Sequence, residues 1–119
     1  MQNKRYVGSN YEDLAAKFLL DKGYNILKMN FRCKGAEVDI IARDKNTLVF
    51  VEVKYRANDK TGHPLEAVDI KKQIKISKAA VAYLKMSKIS MDLYPIRFDV
   101  IGILGEEIIH IKNAFEYVY

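Results

Sequence analysis

The sequence predicts one α/β domain: a central mixed β-sheet, built around a hairpin, with helices on both faces. Three observations carry that expectation. Residues 37–54, Glu37-Val-Asp-Ile-Ile-Ala-Arg-Asp-Lys-Asn-Thr-Leu-Val-Phe-Val-Glu-Val-Lys54, hold two β-branched, apolar runs around a polar break at 44–47, the pattern of a hairpin with a four-residue loop. That hairpin is apolar on one face and mostly apolar on the other, so both faces need cover. Segments of helical period stand on either side of it in the chain. At 119 residues there is room for one domain with one core, covering 1–119.

The N-terminal residues 1–8 read as a flexible lead-in. Ser9 and Glu12 match a capping box, and Tyr11, Leu14, Ala15, Phe18 and Leu19 recur at helical spacing up to Gly23. A helix is expected over 10–22. A strand follows from Tyr24 to Arg32, then a basic turn, Arg32-Cys-Lys-Gly35, whose glycine allows close backbone approach to a ligand. The turn's two cations, Arg32 and Lys34, suit phosphate as well as they suit solvent.

Register within the hairpin follows from the loop. With Arg43 opposite Leu48, Asp39 falls opposite Glu52 and Glu37 opposite Lys54. Side chains alternate along a strand. One face therefore carries Val38, Ile40, Ala42, Val49, Val51 and Val53. The other carries Ile41 and Phe50, with Asp39, Glu52, Glu37 and Lys54 crowded at the end far from the loop. Opposed carboxylates repel, and partial burial raises the cost. A divalent cation between Asp39 and Glu52 resolves the conflict, Mg²⁺ being held by one or two carboxylates plus waters and phosphate oxygens. An ion-pair cluster with Lys54 and Arg32 or Arg43 resolves it too. The spacing does not choose between them.

The next stretch, 55–64, is polar and turn-rich, with a lone loop histidine, His63. Asp69 caps a helix expected over 69–86, with Ile70, Ile74, Ser77, Val81 and Leu84 as its apolar stripe. Lys71, Lys75, Lys78 and Lys85 fall on another face with Lys72 beside them, a row that fits a phosphate backbone or a solvated surface. Strands are expected over 96–104 and 108–112. The tail, 113–119, sets Phe115, Tyr117 and Tyr119 at spacing two, to pack on the core or to join two copies in a homodimer.

Composition excludes several classes. No apolar run reaches membrane-spanning length, and no apolar signal core follows the basic N-terminus, so a cytoplasmic protein without a membrane partner is expected. The single cysteine, Cys33, excludes an internal disulfide, suits a reducing compartment, and is expected to be at least half-buried. A net charge of +5 favours a polyanionic partner.

At Asp39 and Glu52-Val53-Lys54 the sequence resembles the PD-(D/E)xK nuclease superfamily, whose signature is an acid on one strand and acid-x-Lys on the next. The likeness extends further. Gly8 and Glu12, Gly23-Tyr24-x-Ile-Leu, Asn30-Phe-Arg, Glu37-Val-Asp-Ile-Ile-Ala-Arg, Leu48-Val-Phe-Val-Glu-Val-Lys, Lys72-Gln73 and Arg97-Phe-Asp-Val100 resemble the YraN family of small bacterial proteins, related to archaeal Holliday-junction resolvases. The resemblance implies a restriction-endonuclease-like fold and metal-dependent hydrolysis of DNA, with branched or damaged DNA as the candidate substrates. It implies Asp39 and Glu52 as ligands of Mg²⁺ (or Mn²⁺), with Glu12 as an added acid, Lys54 in the chemical step and Gln73 supporting the site. Arg32, Lys34, Lys71, Lys72, Lys75 and Lys78 are the candidate contacts to the DNA backbone. Ala36 departs from the family's usual glycine before the Glu-x-Asp motif. The alternative function is a non-catalytic nucleic-acid-binding module of the same fold acting through a partner.

Overall fold

A computed structural model describes residues 4–58, 68–90 and 93–118, with the side chains of residues 4–10 excepted. Two helices and five strands run in the order α1 (Lys4–Asp21), β1 (Asn25–Cys33), β2 (Ala36–Asp44), β3 (Thr47–Arg56), α2 (Ile70–Met86), β4 (Ile96–Leu104) and β5 (Glu107–Phe115). The strands form one sheet in sequence order, β1-β2-β3-β4-β5. Only the β3–β4 pair is parallel. A parallel pair needs a crossover, and α2 lies within it. The mixed sheet flanked by helices is the restriction-endonuclease-like arrangement the sequence implies.

Each face of the sheet has its own core. One cluster packs Ala15 and Leu19 of α1 on Ile40, Ala42, Val49, Val51 and Ile101. The other packs Ile76, Ala79, Ala80 and Leu84 of α2 on Phe31, Val38, Ile41, Phe50 and Phe98. Fully burying an aliphatic or Phe side chain contributes about 1.5–3 kcal/mol, so these two layers dominate the stabilisation.

Several local expectations are corrected. Helix α1 begins at Lys4, so Ser9 lies inside it and cannot be its N-cap. The C-terminal end is as read. Gly23 takes φ +93°, and the Gly23 and Tyr24 amides bond back to the Leu20 and Leu19 carbonyls, a Schellman stop. Asp44 pairs with Thr47, so the β2–β3 loop has two residues, with Lys45 at φ 57°. The loop-based register holds from Asp44–Thr47 to Ile40–Val51. Val38, expected beside Ile40, packs instead on the α2 side with Ile41.

That crossing has a local cause. Between the β1–β2 pairs Met29–Ile40 and Phe31–Val38 lies Asn30, at φ 52°. A left-handed residue inverts the strand's alternation there. Met29 faces the α1 layer and Phe31 the α2 layer. Asparagine is among the few residues that tolerate this conformation.

Helix α2 is capped as expected, Asp69 accepting from the Lys72 amide at 2.9 Å. Its buried stripe is Ile76, Ser77, Ala79, Ala80 and Leu84, rotated from the expected one, and Ile70 is 57% exposed. Ser77 and Leu84 belong to both stripes, and the two alanines let the helix lie close on the sheet. Strand β4 matches its expected bounds. Strand β5 runs three residues further, to Phe115, which stacks on Phe98 at 5.1 Å. The Val118 amide donates to the buried Ser77 Oγ at 3.0 Å, and Tyr117 packs against the α2-side core. The tail thus covers the core. Cys33, expected half-buried, is exposed. His63 and Tyr119 lie outside the described residues. Among the described residues no helix is long and apolar enough to cross a membrane.

Candidate active site

The β2–β3 ladder ends at the Ile40–Val51 pair, and the acids sit where it ends. Asp39 Oδ2 accepts a 2.8 Å hydrogen bond from the Val53 amide. One carboxylate oxygen therefore does the work of a missing ladder bond and fixes the side chain against β3. Glu52, one residue before Val53, is 2% exposed. Its Oε2 lies 3.2 Å from Lys54 Nζ and 3.5 Å from Lys72 Nζ. Its Oε1 is buried with no hydrogen-bond partner, and an orphaned buried carboxylate oxygen is costly.

The charges respond to this crowding. Burial, then the Asp39 charge and a side-chain contact with Asp39, push the Glu52 carboxyl up to about 8, against partial relief from Lys72 and Lys54. Burial and then Asp39 likewise raise Glu12, which also contacts Asn30. Asp39 therefore stands between two carboxyls that both resist ionising beside it. Because α1 starts before Ser9, Glu12 has no capping duty and its side chain turns to Asp39. Three acids from α1, β2 and β3 make a row. Among the described residues no three His, Cys, Asp or Glu close into a complete metal cage, so the row offers at most a partial set of hard oxygen donors.

Glu37, expected opposite Lys54, lies beyond the end of the paired β2–β3 ladder. It pairs with Lys72 Nζ at 2.8 Å and with Arg32 Nε at 3.8 Å. The Lys72 hydrogen bond holds the Glu37 carboxyl below its ordinary range. Burial pulls the Lys72 ammonium down, but Glu37, Glu52 and Asp39 outweigh it and leave it raised. Lys72 is thus a counterion inside the site. Its helical spacing to buried Ile76 and Ala79, four and seven residues on, is the signal that places it on the inner stripe.

Gln73 turns its amide to the Val68 carbonyl at 3.2 Å and lines a hollow with Val100 and Phe115, so its contact here is with the start of its own helix. Lys71, Lys75 and Lys78 are exposed. Arg32, Gly35, Glu37 and Lys75 line a groove of about 250 Å³ beside the acids, and Lys34 stands exposed in the two-residue turn at its edge. Gly35 is at φ +72°, and a Cβ there would meet nothing within 4 Å. The glycine serves the turn. Ala36 is buried at 7% exposure in the α2-side core, so its methyl packs inward.

A second polar cluster escaped the sequence reading. Buried Asp99 accepts from Arg97 Nε at 2.8 Å and from the Asn113 amide at 2.9 Å, and lies 2.7 Å from His110 Nε2. Arg97 also donates to Tyr24 Oη at 2.8 Å. Burial opposes the Asp99 charge, but these bonds outweigh it and hold the carboxyl below its usual range. The cluster ties β4, β5 and the end of α1 together. Alternation along β4 hid it, because Asp99 occupies a core position between Phe98 and Val100.

Comparison with known proteins bears on this geometry. The model of the Uncharacterised protein family UPF0102 matches residues 11–103. The chain belongs to UPF0102. UPF0102 proteins from Lachnoclostridium phytofermentans (47% identical, 96% of each chain covered) and Thermodesulfovibrio yellowstonii (49% identical, 92% of this chain and 95% of that one) are similar to it over nearly their whole lengths. A UPF0102 protein from Syntrophus aciditrophicus is 47% identical, with 99% of this chain and 94% of that one covered. The match begins at Tyr11, one residue before Glu12, and spans Asp39, Glu52, Lys54 and Lys72.

Proposed function

We propose that this UPF0102 protein is a metal-dependent nuclease that hydrolyses DNA phosphodiester bonds. One observation carries the reading: a buried, unpartnered Glu52 Oε1 beside a fixed Asp39, with a lysine 3.2 Å from Glu52. Two hard carboxylate donors with an orphaned oxygen fit Mg²⁺ or Mn²⁺, which completes its shell with water and phosphate oxygens. Asp39 and Glu52 would hold the ion. When bound, it supplies a water of lowered pKa and neutralises phosphate charge.

The chain's own residues do the rest. The Val53 amide orients Asp39. Glu12, its carboxyl raised, contacts Asp39 and is suited to hold or pass a proton at the edge of the site. Lys54 is a compact cation with no lone pair to offer a metal, and faces charge developing on the phosphate. Lys72 steadies Glu37 and Glu52. Arg32, Lys34, Lys71, Lys75 and Lys78 offer a basic surface for backbone phosphates. Gln73 acts as a positioning residue by fixing the start of α2.

The test is a cleavage panel of linear duplex, single-stranded, flapped and four-way DNA, with Mg²⁺, Mn²⁺ or EDTA, on wild type and Asp39→Asn. Metal-dependent cleavage lost in the variant is expected. A folded wild type that cuts none of these with either metal overturns the reading and favours the non-catalytic binding module.

A further inference from the structure

Tyr11 and Tyr55 stack on each other, ring centroids 3.9 Å apart and planes 12° from parallel. Tyr11 immediately precedes Glu12 on α1. Tyr55 immediately follows Lys54 on β3 and precedes Arg56. Three residues of strand, about 10 Å, separate Tyr55 from Glu52. Tyr55 packs on the α1 side of the sheet and Glu52 lies against Lys72 on the α2 side, so the ring pair meets the row of acids at Glu12, the neighbour of Tyr11 that contacts Asp39. Tyr11 is 36% exposed, and Leu14, one turn on, is 42% exposed. Tyr55 packs on the α1-side core with Ala15 and Leu19, so the stack is anchored there and leaves Tyr11 as its exposed outer ring.

We infer that Tyr11 and Tyr55 form a stacking platform for an unpaired base next to the scissile phosphate, so that the substrate carries a single-stranded segment at the site. This rests on the nuclease reading and adds the class of DNA. Inside a duplex each base is covered by its neighbours on both sides. An unpaired base has a free π-face, and aromatic side chains beside a positive track are how single strands are held without sequence preference. The two tyrosines supply the stacking surface, and Lys54 and Arg56, on either side of Tyr55 in β3, supply charge at this end of the sheet from its opposite face.

The test reads binding apart from cleavage, by fluorescence anisotropy of labelled oligonucleotides with Ca²⁺ in place of Mg²⁺. Wild type, Tyr11→Phe, Tyr11→Leu and Tyr55→Leu are compared on a single strand, a flapped duplex and a blunt duplex. Melting curves confirm folding, and Tyr11→Phe keeps the ring in the event that a leucine variant does not fold. Wild type should prefer the single strand and flap to the blunt duplex. The leucine variants should lose about tenfold or more on those two substrates and little on the duplex, and Tyr11→Phe should bind like wild type. Leucine variants that bind the single strand as wild type does, or weaken equally on all three DNAs, overturn the platform. Metal-dependent cleavage retained alongside that result leaves the nuclease reading standing. Wild type that binds none of the three and cuts nothing overturns both.

Discussion

Lys72 Nζ lies 2.8 Å from Glu37 Oε1 and 3.5 Å from Glu52 Oε2, so a residue from the first turn of α2 neutralises acids from β2 and β3. Lys72 differs in kind from the exposed lysines of the same helix. Replacing it by methionine leaves two partly enclosed carboxylates short of a partner, and should cost about 2 kcal/mol. Lys78→Gln, on the solvent side, should change stability by less than about 0.5 kcal/mol. Urea melts of the two variants check this, and equal stabilities would remove Lys72 from the site.

The exposed cations carry a different expectation. Lys71, Lys75 and Lys78, all exposed on α2, are proposed to meet phosphate. DNA affinity should then fall steeply with salt and vary little with sequence. Changing all three to glutamine should flatten the plot of log affinity against log salt by about 2 to 3. An unchanged slope would put the DNA on another surface.

Glu52 gives a pH signature. Its carboxyl is pushed up to about 8, above its value in the unfolded chain. The stability this represents is full below the ordinary carboxyl range, and is lost as pH rises through about 8. A cation that holds the carboxylate ionised offsets the loss, so metal should raise the melting temperature more at pH 8.5 than at pH 6. Glu52→Gln should abolish both the pH trend and the metal shift. Scanning fluorimetry with Mn²⁺ and with EDTA measures it, and a metal shift independent of pH would contradict the assignment.

How far the site could be read in the sequence depended on backbone regularity. The hairpin register followed from loop position, and the observed pairs obey it as far as Ile40–Val51. Asp39, Glu52 and Lys54 lie just past that limit, and the hairpin pattern brings them to its far end without setting their pairing. What failed did so where alternation breaks. Beside Asn30 at φ 52°, Val38 packs on the α2 side and Glu37 pairs with Lys72. A lone Asn inside an apolar strand was the available signal. The local pattern makes Glu12 a capping residue, since Ser9 fits the cap, and only the family resemblance makes it an acid of the site; α1 starts at Lys4. A cap pattern one turn inside a helix looks the same in sequence as one at its start. The Asp99 cluster joins residues 24, 97, 99, 110 and 113, and no local pattern assembles groups so distant in the chain.

That cluster should stabilise the scaffold and leave the chemistry alone. Asp99 is fully buried and bonded by Arg97, His110 and the Asn113 amide. Asp99→Asn leaves the Arg97 guanidinium with only Asp44, at 3.3 Å, as counter-charge, and should cost about 3 kcal/mol. The Asp99 carboxyl is held below its usual range. Its stabilisation is therefore present above that range and lost as pH falls through it. Wild type and Asp99→Asn should differ most at neutral pH and converge on acidification. Metal affinity of the folded variant should match wild type; a large change would couple the two clusters.

Lys54 separates the functional readings most sharply. Its ammonium lies 3.2 Å from Glu52 Oε2 and its side chain is 24% exposed, close enough to the acids to act on a phosphate they hold. Lys54→Met removes the charge and keeps much of the stem's volume. In a nuclease this variant should fold, bind DNA and take up metal, while cleavage slows on the order of a hundredfold or more, the usual cost of losing one placed charge stabiliser. In a binding module, wild type and variant should behave alike on DNA in every assay. A purely structural lysine predicts a third pattern, a drop in melting temperature with no effect on the chemistry of the folded fraction. Lys72 also faces Glu52 at 3.5 Å, so the carboxylate keeps one counterion in the variant and the fold should survive. Melting temperature, DNA affinity and single-turnover cleavage rate on this one substitution tell the three apart, and wild-type cleavage in Lys54→Met would overturn the role proposed for it.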